Sequence, residues 1–183
     1  MLITAINDPA RVTNVVIGSS ELAARAAQIQ AGTVGLHAEV LRTDLEGEAR
    51  VVGERLAERL GTAAQERERP FCLIAGGETT VTIHGDGHGG RNQELALAAV
   101  DTMAGMKDVL LVALATDGDD GPTDAAGAVV TGETAARAEA LGLRSEEYLA
   151  RNDSYAYFAP LGDLLKPGYS GTNVNDLIFG FAL

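Results

Sequence analysis

The run Val109–Ala115 (VLLVALA) constrains the chain most: seven consecutive apolar residues end abruptly at Thr116-Asp117-Gly118. So short and uniformly apolar a run reads as a central strand of a parallel sheet, which needs helices packed on its faces. The segments before it repeat that grammar. Residues 12–18 (VTNVVIG) predict a buried strand, and Ser19 or Ser20 predicts the cap of a helix carrying Leu22, Ala26 and Ile29 on one face. Gly32 is the expected stop of that helix. Residues 36–41 predict a second strand. Residues 46–60 predict a helix with Ala49, Val52, Leu56 and Leu60 inward. Strands are further expected at 71–75, 79–83 and 174–183, and helices at 91–104, 132–141 and 145–150. The implied fold class is α/β: a mostly parallel sheet with covering helices, built from βαβ units in a three-layer α/β/α arrangement. The polar stretch 61–70 (GTAAQERERP) is the expected linker.

Charge then narrows the function. The 183 residues carry 14 basic and 26 acidic side chains, a net charge of −12. Such a surface repels polyanions, which argues against nucleic-acid and anionic-membrane binding. A lone cysteine, Cys72, cannot form an internal disulfide and sits in an apolar run, so it reads as inert core. No run is long enough to span a membrane, and the expected location is cytoplasmic. The asymmetry is informative: residues 1–70 carry net −2 and residues 71–183 net −10.

Three stretches of the second part could carry chemistry. Gly76-Gly77-Glu78-Thr79-Thr80 and Gly85-Asp86-Gly87-His88-Gly89-Gly90 lead into Arg91-Asn92-Gln93-Glu94. A glycine-rich loop entering a helix offers unpaired N–H groups and the positive dipole end to a phosphate or carboxylate. A hairpin tip with turn glycines is the competing reading. No GxxxxGK[ST] loop occurs. The stretch Thr116–Asp124 places four aspartates (Asp117, Asp119, Asp120, Asp124) directly after the apolar strand, where ligands of open α/β sheets sit. Mutual repulsion there would be relieved by Mg²⁺ shared with substrate phosphates, and Asp117, Asp119 and Asp124 are the candidate ligands. A solvated acidic turn is the alternative. Third, Gly168–Asp176 interleaves small hydroxyl and amide side chains with glycine. His84 and His88 lack a third ligand for zinc. Asn152-Asp153 is expected to cap a short helix at Ser154.

The ordered blocks GGETTVTIHGDGHGGRNQELAL, ATDGDDGPTDAAGA, NDSYAYF, LGDLL and SGTNVNDL resemble the MOFRL region of the type 2 glycerate kinases, once labelled hydroxypyruvate reductases. Residues 11–50 resemble the stretch that precedes it. The resemblance implies residues 1–65 as the end of the family's N-terminal domain and 66–183 as a MOFRL-like α/β domain. It implies ATP-dependent phosphorylation of D-glycerate to 2-phosphoglycerate, with ATP and Mg²⁺ as cofactors. Arg91, Asp117 and Asp120 are then the candidate catalytic residues. Arg91 would hold the glycerate carboxylate or the transferring phosphoryl group, and an aspartate would hold Mg²⁺ or orient the substrate hydroxyl. Glu78 would pair with Arg91 or accept a proton. Gly76, Gly77, Glu78, Thr79, Gly89, Gly90, Asn92, Thr172, Asn173 and Asn175 are the candidate substrate or phosphate contacts. Lys166-Pro167-Gly168 departs from the family's turn at that point. The family's larger N-terminal domain and its lysine have no counterpart here, so the implied partner is a separate N-terminal half or a homo-oligomer. A non-catalytic binding or assembly module is the alternative. A reductase is disfavoured, since no GxGxxG is set between strand and helix with an acidic residue about twenty positions on.

Overall fold

A computed structural model of the chain describes residues 15–183. The elements run α1 (Ser20–Thr33), β1 (His37–Leu45), α2 (Ala49–Glu66), β2 (Phe71–Gly77), α3 (Arg91–Met103), β3 (Val109–Ala115), β4 (Gly127–Thr131), α4 (Thr134–Ala140), α5 (Ser145–Ala150), α6 (Ser154–Phe158), β5 (Leu164–Leu165) and β6 (Asp176–Ala182). No helix among the described residues is long and apolar enough to cross a membrane.

One six-stranded sheet in the order β1-β2-β6-β3-β4-β5 forms the middle layer. The three-layer α/β arrangement is as the pattern implies, but strand direction is not. Only β1 and β2 pair in parallel, while β6 pairs antiparallel with both β2 and β3, and β4 antiparallel with β3. The expected central parallel strand at 109–115 is therefore flanked by antiparallel neighbours. The cause is β6, which enters the sheet between β2 and β3 and runs back against them. Asp176 lies opposite Gly77 on one side and Ala115 on the other. The start of β6 thus meets the ends of β2 and β3 at one edge.

The two faces are covered unequally. Leu73, Leu111, Ala113, Val130 and Ile178 pack under α2 and α3 in the main core. On the other face Cys72, Ile74 and Leu177 pack with Ala24 of α1. Because α1 covers only part of that face, burial in β3 alternates, with Leu110, Val112 and Leu114 half-buried. Helix α3 is surrounded: every residue from Asn92 to Val100 is buried. Small residues permit this closeness, and a Cβ on Gly53 of α2 would overlap the Leu95 carbonyl.

Several local expectations change. Of the expected strand at 12–18, residues 12–14 lie outside the described residues, and 15–18 are not strand; Val15, Val16 and Ile17 are exposed. Helix α1 turns Ala24 and Ala31 inward, leaving the expected inward residues Leu22, Ala26 and Ile29 exposed. Its cap is Ser19, whose Oγ accepts from the Leu22 N–H at 3.2 Å. It ends at Gly35 (φ 84°) rather than Gly32. The linker expected at 61–70 is helical to Glu66, because Leu60, Gly61 and Ala63 are buried and extend the inward face of α2. Residues 79–83 form only a single bridge, Thr80 with Glu48.

Gly53→Ala should therefore cost about 2–3 kcal/mol through overpacking and lower Tm by about 4–12 °C. A thermal melt with unchanged Tm would mean α2 and α3 do not meet this closely.

Candidate functional site

The strand ends joined by β6 assemble the site around Arg91, the first residue of α3. Arg91 Nε donates to Asp176 Oδ2 at 2.6 Å and Nη2 to Asp176 Oδ1 at 2.9 Å, a bidentate fork. Nη1 lies 3.4 Å from Oε1 of the exposed Glu78. The Asp176 side chain is only 2% exposed and that of Arg91 29%, so the guanidinium bridges core and solvent. Its hydrogen bonds to Asp176, joined by the charges of Asp176, Glu78 and Asp120, hold the proton more tightly than usual.

The α3 N-terminus, expected to face a ligand, is already occupied. The buried Asp120 carboxylate accepts from the backbone N–H groups of Asn92 (3.1 Å) and Gln93 (2.9 Å). It accepts as well from Asn92 Nδ2 and Gln93 Nε2, both at 3.2 Å. Burial pushes this carboxyl above its usual range, against the pull of those donors. Asp120 is thus a helix cap supplied from a distant loop, not a catalytic group open to the cleft. Asn92 serves the same clasp, being fully buried.

The glycines follow suit. Gly76 and Gly77 are not a turn but the end of β2, paired with Leu177 and Asp176. A Cβ at Gly89 would strike Ser154 and one at Gly90 would strike Asp120. The Ser154 hydroxyl fills the space at Gly89, and the side chain and backbone of Asp120 fill it at Gly90. Thr79 is buried beside them. Asn152 pins the loop: its Oδ1 accepts from the N–H groups of His84 (2.7 Å) and Gly85 (3.1 Å), and its Nδ2 donates to Glu94 Oε2 at 2.9 Å. Asp153 Oδ1 accepts from the His88 N–H. Asp153 precedes α6 but makes no side-chain cap bond, so the expected capping pair is a clamp on the glycine loop.

The acidic loop divides. Asp117 is half-buried, its Oδ2 accepting from Asn173 Nδ2 at 3.0 Å and its Oδ1 from the Asp119 N–H. Asp119 is exposed. Asp124 instead accepts from Tyr155 Oη at 2.8 Å and Lys166 Nζ at 3.1 Å, which hold its carboxyl below the usual range. Asp117, Asp119 and Asp124 do not converge, and among the described residues no three His, Cys, Asp or Glu side chains are grouped to hold a metal. Thr172, Asn173 and Asn175 are exposed on the loop that ends at Asp176. The Asn175 carbonyl accepts from Thr116 N and Oγ1, tying this loop to the end of β3.

Sequence reasoning passes over Asp176 and Glu94 as site-forming residues. Glu94, 3% exposed, pairs with Arg50 at 2.7 Å and anchors α3 to α2. The available signal was an acidic residue at each start of an otherwise apolar element, where a buried charge requires a partner.

Fold and site together define an α/β domain that presents a carboxylate-anchored arginine at the meeting point of three strand ends. The chain belongs to the MOFRL family, whose profile matches residues 71–176. It is 43% identical over 178 residues to the D-glycerate 2-kinase of Thermotoga maritima, covering 94% of this chain and 43% of that protein. It is 41% identical over 180 residues to the glycerate 2-kinase of Pyrococcus horikoshii, covering 96% and 40%. A crystal structure of the Thermotoga maritima glycerate kinase superposes with a TM-score of 0.90 over 92% of this chain and 42% of that one. The chain thus spans well under half the length of these relatives.

Asp120→Ala should strand two buried backbone donors and cost about 3 kcal/mol, a Tm loss of about 6–12 °C. Asp120→Asn, which keeps one acceptor oxygen, should lose less. Equal, negligible losses in both variants would show that Asp120 is not the cap.

Proposed function

We propose that this chain forms the MOFRL-containing C-terminal part of an ATP-dependent glycerate 2-kinase, converting D-glycerate to 2-phosphoglycerate together with the N-terminal half of such an enzyme. The observation that carries the reading is the Arg91–Asp176 fork beside Glu78, within a chain whose 43%-identical relative is named D-glycerate 2-kinase. Phosphoryl transfer needs positioning and charge neutralisation more than covalent chemistry. ATP supplies the phosphoryl group.

The chain's own groups divide the work as follows. Asp176 engages Nε and Nη2 of Arg91, which leaves Nη1 as the donor that faces an incoming carboxylate or phosphoryl oxygen. Glu78 is the group that such an anion displaces, being exposed and held only at 3.4 Å. Asp117, steadied by Asn173, accepts the proton of the substrate hydroxyl or orients it. Thr172 and Asn175 line the same rim. Mg²⁺ does not find a three-ligand group among the described residues, so no metal step is assigned to this chain.

A coupled assay with ATP and D-glycerate tests the reading. The chain alone should turn over near zero, and adding the N-terminal half of a glycerate kinase should restore activity. Arg91→Lys keeps the charge but loses the fork, and in the restored enzyme it should lower kcat by about 10²–10³. Failure of a well-folded half to restore turnover would count against the proposal.

A further inference from the structure

One half of the sheet carries a helix on only one face. Helix α3 packs on one side of β3 and β4, while on the other side α1 lies over β1 and β2 and touches β6. Among the described residues no helix packs over β3 or β4 on that second side. Strand register gathers Leu110, Val112, Leu114, Val129, Phe179 and Phe181 there, since Val112 lies opposite both Val129 and Phe179, and Leu110 opposite Phe181. All six are half-buried, whereas the alternate residues Leu111, Val130 and Ile178 beneath the other layer are fully buried.

These residue types do not suit a solvated face. An antiparallel sheet with one side in water alternates apolar with polar side chains, yet these outward positions hold leucine, valine and phenylalanine. The Phe179 and Phe181 rings stack with centroids 6.0 Å apart. A contiguous apolar patch of this kind marks a surface that something covers.

Two observations identify the cover. The first is reach. A Cβ on Gly18 would lie 3.3 Å from Val174 Cγ1, and the Val174 N–H donates to Thr116 Oγ1 at 2.9 Å, directly after β3. Residues 1–14 therefore join the described chain near the Leu114 end of this face. They comprise an apolar run, Met1-Leu2-Ile3-Thr4-Ala5-Ile6, and a polar stretch from Asn7 to Asn14. That stretch alone spans up to about 28 Å, whereas the face from Leu114 to Leu110 is about 14 Å long. The second observation is charge. Residues 1–14 hold one acid, Asp8, and one base, Arg11, and so bring no net charge, whereas a second copy would set −12 against −12.

We propose that residues 1–6 dock on this face and complete the outer layer of the fold over β3, β4 and β6. The run supplies the apolar partner that the six side chains lack, and the polar stretch supplies the tether. The reading is independent of the kinase assignment, because it uses no residue of the Arg91 site.

Hydroxyl-radical footprinting of the 183-residue chain, read by mass spectrometry at Phe179 and Phe181, tests this. Tyr169, 81% exposed, serves as the internal standard. Both phenylalanines should label weakly in the parent protein. Labelling should rise about threefold in a Leu2→Ser, Ile3→Ser, Ile6→Ser variant, whose run no longer favours an apolar surface. The three substitutions lie outside the helices and strands, and a cooperative thermal melt checks that the variant is folded. Sedimentation should show a monomer in both proteins. Labelling unchanged by the substitutions would overturn the proposal. So would protection that is lost on dilution as a dimer dissociates, which would assign the face to a second copy.

Discussion

The Asp120 carboxylate on the α3 N-terminus is the contact on which the surrounding architecture depends. A helix buried along nearly its whole length still begins with N–H groups that have no partner within the helix. Water cannot reach Asn92 and Gln93, so another part of the chain must supply the acceptor. Asp120 does so from the loop after β3. That single clasp brings the acidic loop against the glycine loop and fixes the first turn of α3. Arg91, one residue earlier, is then aimed outward to Asp176. One carboxylate of the acidic loop is thereby consumed by the fold, and the half-buried Asp117 and exposed Asp119 are what the loop offers to solvent.

Strand β6 makes the second essential connection. A parallel strand in its place would deliver its first residue to the opposite edge of the sheet. Running antiparallel, it sets Asp176 beside Gly77 and Ala115. The buried carboxylate and its guanidinium then compensate each other, as a charge so little exposed must be compensated. The Arg50–Glu94 pair does the same one turn further along α3.

Most elements with local signals were legible in the sequence. Ser19 capped α1, and the apolar runs became β2, β3 and β6. Arg91 also stood out, as a charged donor following glycines. What could not be read locally was pairing. Asp120 looks like its neighbours Asp117 and Asp119, and only the fold decides which of them reaches the helix. Leu22 and Ile29 have helical spacing like any core stripe, yet α1 buries Ala24 and Ala31 instead, and which stripe faces the sheet is decided by tertiary packing. The glycines at 89 and 90 suggested access for a ligand. Their space is taken by Ser154 and Asp120, and a glycine required by a neighbouring backbone reads in sequence like one required by a phosphate.

Charge limits what this site can do with an anion. Around Arg91 stand Asp176, Glu78 and Asp120, so the local balance is negative despite the arginine. The chain as a whole carries −12. Beyond about 8 Å that field is screened at physiological salt, but within that distance it opposes any anionic ligand, a polyphosphate most of all. Arg91 can orient an anion once it arrives, through the one nitrogen that Asp176 leaves free. It cannot neutralise several phosphate charges while Asp176 already compensates its own. A ligand with several phosphate charges therefore needs further cations at this site, because the bidentate Asp176 contact leaves Arg91 as an orienting donor rather than a charge sink.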